Sequence, residues 1–165
     1  MMKRFFASLA CVFLFAAALA GSALASSTPR QIIVGGEPLS GSEESPAYAT
    51  TDASGNVTIG GDENTYNVKW DGETLTLRNA YVINWYEGSV EPYYLGSGIY
   101  EEYNTYVINV ELVGANAVAG NRYGIYTPNH DLTFSGDGSL AVVSMYNLYD
   151  EGAGIRAGAV TVIAG

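Results

Sequence analysis

From Thr74 onward the apolar residues come in short runs with a period of two. "TLTL" sets Leu75 and Leu77 to one side, "VINVEL" does the same with Ile108, Val110 and Leu112, "DLTF" with Leu132 and Phe134, and "AVTV" with Val160 and Val162. Thr76, Asn109, Thr133 and Thr161 occupy the alternate positions. Successive side chains of a strand point to opposite faces, so each run predicts a strand with its aliphatic set inward and its polar set outward. Gly72, Gly114, Gly136, Gly138 and Gly158 fall between or beside these runs, where the backbone has to turn. No segment beyond residue 25 carries an apolar stripe at helical spacing of useful length, so the expected fold class is all-β.

The runs also recur. Gly98-Ile99, Gly124-Ile125 and Gly154-Ile155 each precede an alternating stretch, with 26 residues from 98 to 124 and 30 from 124 to 154. Spacings of this size predict a solenoid. Two all-β architectures accommodate the strands. A β-sandwich would use Asp71-Gly72 and Asp137-Gly138 as hairpin turns. A right-handed parallel β-helix would instead bring equivalent residues back one coil later, which accounts for the returning Gly-Ile. The β-helix is the expected fold, with the sandwich as the alternative.

The start of the chain reads as a targeting segment. Lys3 and Arg4 precede the apolar run "FFASLACVFLFAAALAG", and "ALA" at residues 23–25 supplies the small residues of a cleavage site. The expected organisation is a signal peptide at 1–25, a short linker at 26–30 and one domain at 31–165. The chain is expected to be secreted or displayed at the cell surface, with no stable membrane span after cleavage. The single cysteine, Cys11, lies inside the leader, so stability must come from packing and hydrogen bonding rather than disulfides. Removing Lys3 and Arg4 takes the formal charge from −10 to −12. Such a charge repels nucleic acid and anionic lipid.

At the level of motifs, the chain resembles secreted bacterial repeat-type β-helix proteins described as carbohydrate-binding-domain-containing, which share a pectin-lyase-like solenoid architecture. The residues that carry the likeness are "IIVGG" (32–36), "ETLTLRNA" (73–80), "INVELVGANAV" (108–118), "GIYTPNHDLTFSGDGSLAV" (124–142) and "GIRAGAVTVIAG" (154–165). The resemblance implies a β-helix over essentially all of 31–165 and a non-catalytic role in binding extracellular polysaccharide. It speaks more to architecture than to function, because one fold hosts many chemistries. Two features depart from the pattern: the aromatic insertion "WYEGSVEPYYLGS" (85–97), and an apolar final strand with no polar cap. A solenoid needs its open end covered, so further coils or another chain are expected there, and the domain reads as incomplete at its C-terminus.

Catalytic constellations are sparse. "IVGG" at 33–36 invites comparison with an activated serine protease, but no Ser-His-Asp set follows, so it is expected to be a strand. The sole histidine, His130, with Asp131 beside it, is expected in a solvated Pro-Asn loop. The doublets Glu43-Glu44, Glu101-Glu102 and Asp150-Glu151 are not glycosidase pairs, since neighbours on a strand point apart. No cofactor is expected. Calcium is the one ion with candidates, at Asp131, Asp137, Asp150 and Glu151, although no EF-hand or Gly-Gly-x-Gly-x-Asp spacing is present.

The tyrosines stand out: of 13, eleven lie between Tyr81 and Tyr149. Aromatic faces with hydroxyl rims suit sugars, so Trp85, Tyr86, Tyr93, Tyr94, Tyr100, Tyr103 and Tyr126 are the candidate carbohydrate contacts. Stacking along the strands of a solenoid is the competing explanation. An adhesive or structural segment without a sugar site is the alternative function, and a polysaccharide lyase or hydrolase the third.

Overall fold

The computed structural model describes residues 29–85, 96–101, 106–145 and 153–163, and it is all-β. Up to Trp70 the strands pair antiparallel. β1 (Arg30–Val34) turns through Gly35 and Gly36 into β2 (Glu37–Gly41), and both glycines have positive φ, 60° and 87°. β3 (Ala47–Thr51), β4 (Val57–Ile59) and β5 (Val68–Trp70) form a second antiparallel group. "IVGG" is thus a strand and its turn. Residues 30–70 do not continue the parallel pattern expected from residue 31.

Beyond that point the pairing changes character. β6 (Thr74–Arg78) closes a hairpin with β5 across Asp71-Gly72, and its other edge pairs parallel with β9 (Val107–Val113). β9 pairs parallel with the second half of β11 (Tyr123–Gly136), which pairs parallel with the second half of β13 (Ala153–Val162). The first half of β11 lies parallel between β8 (Ser97–Tyr100) and the first half of β13. A separate three-strand sheet runs β7 (Tyr81–Asn84), β10 (Ala115–Gly120), β12 (Ser139–Ser144), again parallel. Asp137-Gly138 makes no hairpin: it joins strands of different sheets.

Three ladders therefore follow one another along the chain, and like residues stand in register. Ile99, Ile125 and Ile155 are neighbours in one ladder. Leu75, Val110, Phe134 and Val162 are neighbours in the next, beside Ile108, Leu132 and Val160. Val82, Val118 and Val142 are neighbours in the third. The buried members of these rows form one core cluster, with Trp70 and Leu77 buried in it and Val142 and Ile155 packed against it.

The geometry also accounts for the glycines before Ile99 and Ile125. A Cβ on Gly98 would lie 2.7 Å from Val118 Cγ1 and 2.8 Å from the Gly124 carbonyl oxygen, while one on Gly124 would overlap Val142 Cγ1. At this corner the first ladder passes too close to the third for any side chain. The opposite corner is held by Asn116, which is buried. Its Oδ1 accepts the Ala80 N–H at 2.9 Å, and its Nδ2 donates to the carbonyls of Gly114 and Ser139, each at 3.2 Å. One amide thus bonds backbone of three successive passes of the chain.

Overpacking a tight core site costs about 1–3 kcal/mol. Gly124→Ala is expected to destabilise by that amount, and by more than Gly154→Ala, whose added Cβ would meet Val142 O at 3.2 Å. Urea unfolding of the two variants checks this contrast.

Candidate functional site

The titratable side chains that converge most closely lie where β8 hands over to β9. Glu101 follows β8 directly, Tyr106 precedes β9, and His130 projects from the middle of β11. His130 Nε2 lies 3.2 Å from Glu101 Oε2, and the Tyr106 hydroxyl donates to Glu101 Oε1 at 3.5 Å. His130 Nδ1 sits 3.4 Å from the Tyr106 amide nitrogen and 3.0 Å from its carbonyl oxygen. It can therefore accept from the N–H or donate to the C=O, according to its tautomer. The Tyr106 ring tilts against the imidazole at 4.6 Å, and the Arg30 guanidinium lies 4.5 Å from the ring centroid.

His130 is therefore no solvated loop residue. "TPNHD" stays within β11, whose register against β13 shifts between Thr127 and Asp131. At that bend the histidine turns inward, and only 1% of it is exposed, with 3% of Glu101. A general acid or base must reach a substrate proton. These two side chains are occupied with one another and with the Tyr106 backbone and hydroxyl, so the arrangement fastens the segment between Glu101 and Tyr106 to the next pass of the chain. Nothing in the sequence showed that residue 130 meets residue 101.

Tyr100 and Tyr126 are corrected as surface sugar contacts. They are 2% and 4% exposed, and their rings stack on one another at 5.7 Å with an interplanar angle of 6°. Tyr123, fully buried, packs against Tyr126 at 4.6 Å. Arg156 lies over Tyr126 at 5.6 Å and donates to the Tyr123 hydroxyl at 3.3 Å. Tyr126 is the register partner of both Tyr100 and Arg156, so these faces are taken up by stacking along the ladder. Trp85, directly after β7, is 53% exposed, the most open aromatic among the described residues. Tyr86, Tyr93, Tyr94 and Tyr103 lie outside the described residues.

Among the described residues, the calcium candidates Asp131 and Asp137 do not come together. Both are exposed, Asp131 within β11 and Asp137 in the bend that follows its end at Gly136. Asp150 and Glu151 lie outside the described residues. An aromatic pair the sequence did not suggest is Tyr48 and Tyr66, 5.6 Å apart and tilted by 48°, with Arg78 stacked 4.2 Å over Tyr66. Its members come from separate parts of the antiparallel region, and no spacing links them.

Comparisons with protein families, with characterised proteins and with solved structures find no match to the chain.

Burial, and after it the charge on Glu101, pushes the Tyr106 phenol above its ordinary value near 10. Between that value and the raised one, the unfolded chain releases a proton that the folded chain keeps. Stability is fully present below about pH 10 and falls as pH rises beyond it. Tyr106→Phe is expected to flatten that alkaline fall in the urea midpoint.

Proposed function

We propose that the chain is a right-handed parallel β-helix module of an exported protein, and that it binds extracellular polysaccharide without transforming it. The β-helix reading is supported by the register itself. From β6 to β13, β7–β10–β12 and β6–β9–β11–β13 run as parallel ladders between strands separated by a full pass of the chain. A sandwich of hairpins would pair consecutive strands antiparallel, which here occurs only up to the β5–β6 turn among the described residues. Export is supported by the leader at 1–25 and its "ALA" site.

The non-catalytic reading draws on the burial of His130 and Glu101, the one close acid–base pair described, which serves as a fastening. The single observation that carries sugar contact is Trp85, an aromatic side chain 53% exposed directly after β7. Carbon-bound hydrogens of a sugar ring pack on such a face while its hydroxyls stay hydrated. The burial of Tyr100 and Tyr126 favours the second reading, a structural or adhesive segment, because it removes two of the seven aromatic candidates from the surface.

Affinity electrophoresis of the exported protein through gels containing soluble polysaccharides separates the two. Binding predicts retardation in at least one glycan, weakened about tenfold by Trp85→Ala, equivalent to about 1.4 kcal/mol, with circular dichroism unchanged. Unretarded migration in every glycan would favour the structural segment.

A further inference from the structure

The outer face of the three-strand sheet holds no charge. None of residues 81–85, 115–121 and 139–145 is Asp, Glu, Lys, Arg or His, whereas the main sheet carries Lys69, Arg78, Glu111 and Asp131. Val82 and Val118 lie in the core and Val142 packs against it, so by alternation Tyr81, Ile83, Ala117, Ala119, Ala141 and Val143 face away from it. The ladders run on past the strand ends: the Asn121 N–H donates to Asn84 O at 3.3 Å and the Met145 N–H to Gly120 O at 2.8 Å. Trp85 and Met145 thereby continue the outward positions of β7 and β12.

Across this face the side chains run large, small, large. Ile83, Ala119 and Val143 form one row, Trp85 and Met145 flank the next, and Tyr81 and Ala117 lie in the row before. Exposure follows size: Tyr81 is 39% exposed, Trp85 53%, Val143 47% and Met145 37%, but Ala119 only 8%. The surface is a shallow trough along the strands, floored by Ala117 and Ala119. Wall to wall it spans two strand spacings, about 10 Å, and from Tyr81 to Trp85 it runs about 13 Å.

Those dimensions select the occupant. A footprint of roughly 130 Å² falls far below the ~800 Å² that each partner of a stable protein interface buries. An extended peptide finds no backbone partner either, because the N–H and C=O groups of β10 are used in the ladders on both its sides. One sugar chain needs neither, since its ring faces pack on the aromatic walls while its hydroxyls stay in water. Tyr81 and Trp85 stand farther apart than one sugar ring spans, so they meet different rings of the same chain. We propose that this trough seats a single, extended, uncharged polysaccharide chain lying along β7 and β10, with its rings on Tyr81 and Trp85. This rests on the sugar contact proposed at Trp85 and adds its ligand class. A carboxylated or sulfated glycan would bring its anions to a face without a cation, on a chain of formal charge −10.

Affinity electrophoresis of the exported protein through hydroxyethylcellulose and glucomannan gels, set against alginate and polygalacturonate gels, tests this. Retardation is expected in a neutral gel and in neither anionic one. Tyr81→Ala should weaken it severalfold, as Trp85→Ala does, and Ala117→Gln, which fills the floor, should abolish it. Ile59→Ala, at an exposed apolar residue of β4, should leave it unchanged, and each variant should keep the parent circular dichroism. Retardation that Trp85→Ala weakens but Tyr81→Ala and Ala117→Gln do not would overturn the trough and leave the sugar contact at Trp85 standing. Retardation in the anionic gels alone would overturn the ligand class. Unretarded migration in every glycan would remove the sugar contact itself, and the trough with it.

Discussion

The structure depends on close lateral registration: each pass of the chain must set its aliphatic residues on those of the pass before. Burial of an aliphatic side chain contributes on the order of 1.5–3 kcal/mol, but only when a neighbour covers it. For the strands from β7 onward the parallel neighbour sits 24 to 36 residues away, so almost nothing local stabilises any one of them. Ile125 is buried because Ile99 lies on one side of it and Ile155 on the other. The same requirement fixes the glycines, since Gly98 and Gly124 let the first ladder approach Val118 and Val142 closely. It also fixes Asn116, which satisfies backbone groups at a corner where no ladder can do so.

Within this frame the polar side chains that look most reactive are structural. His130, Glu101 and Tyr106 contact one another at the register shift of β11, and these contacts offset the cost of burying them. The tyrosine stack of Tyr100, Tyr126 and Tyr123 does the same on the outer side of the first ladder, where Ile33 and Ala153 pack against it.

Much of the parallel region was legible because period-two alternation and the returning Gly-Ile report directly on strands and on their register. Leu75, Ile108, Val110, Leu132 and Phe134 fall inward as alternation requires. The antiparallel strands before Trp70 were not legible, because β3, β4 and β5 are short and their pairing is set by turns and by contact with β6. The site was less legible still. Sequence position identifies an aromatic or a histidine but not whether a neighbouring strand covers it. Tyr126 and Trp85 look alike in sequence and differ in burial because one has register partners on both sides and the other follows a strand end. Likewise 29 positions separate His130 from Glu101, and only the fold brings them into contact.

Methyl–methyl nuclear Overhauser effects test the central claim most directly. Isoleucine-labelled protein should show cross-peaks from the Ile125 δ-methyl to those of both Ile99 and Ile155. An Ile125 methyl that reaches neither, or that exchanges freely with solvent-exposed probes, would contradict the registration on which the rest is built.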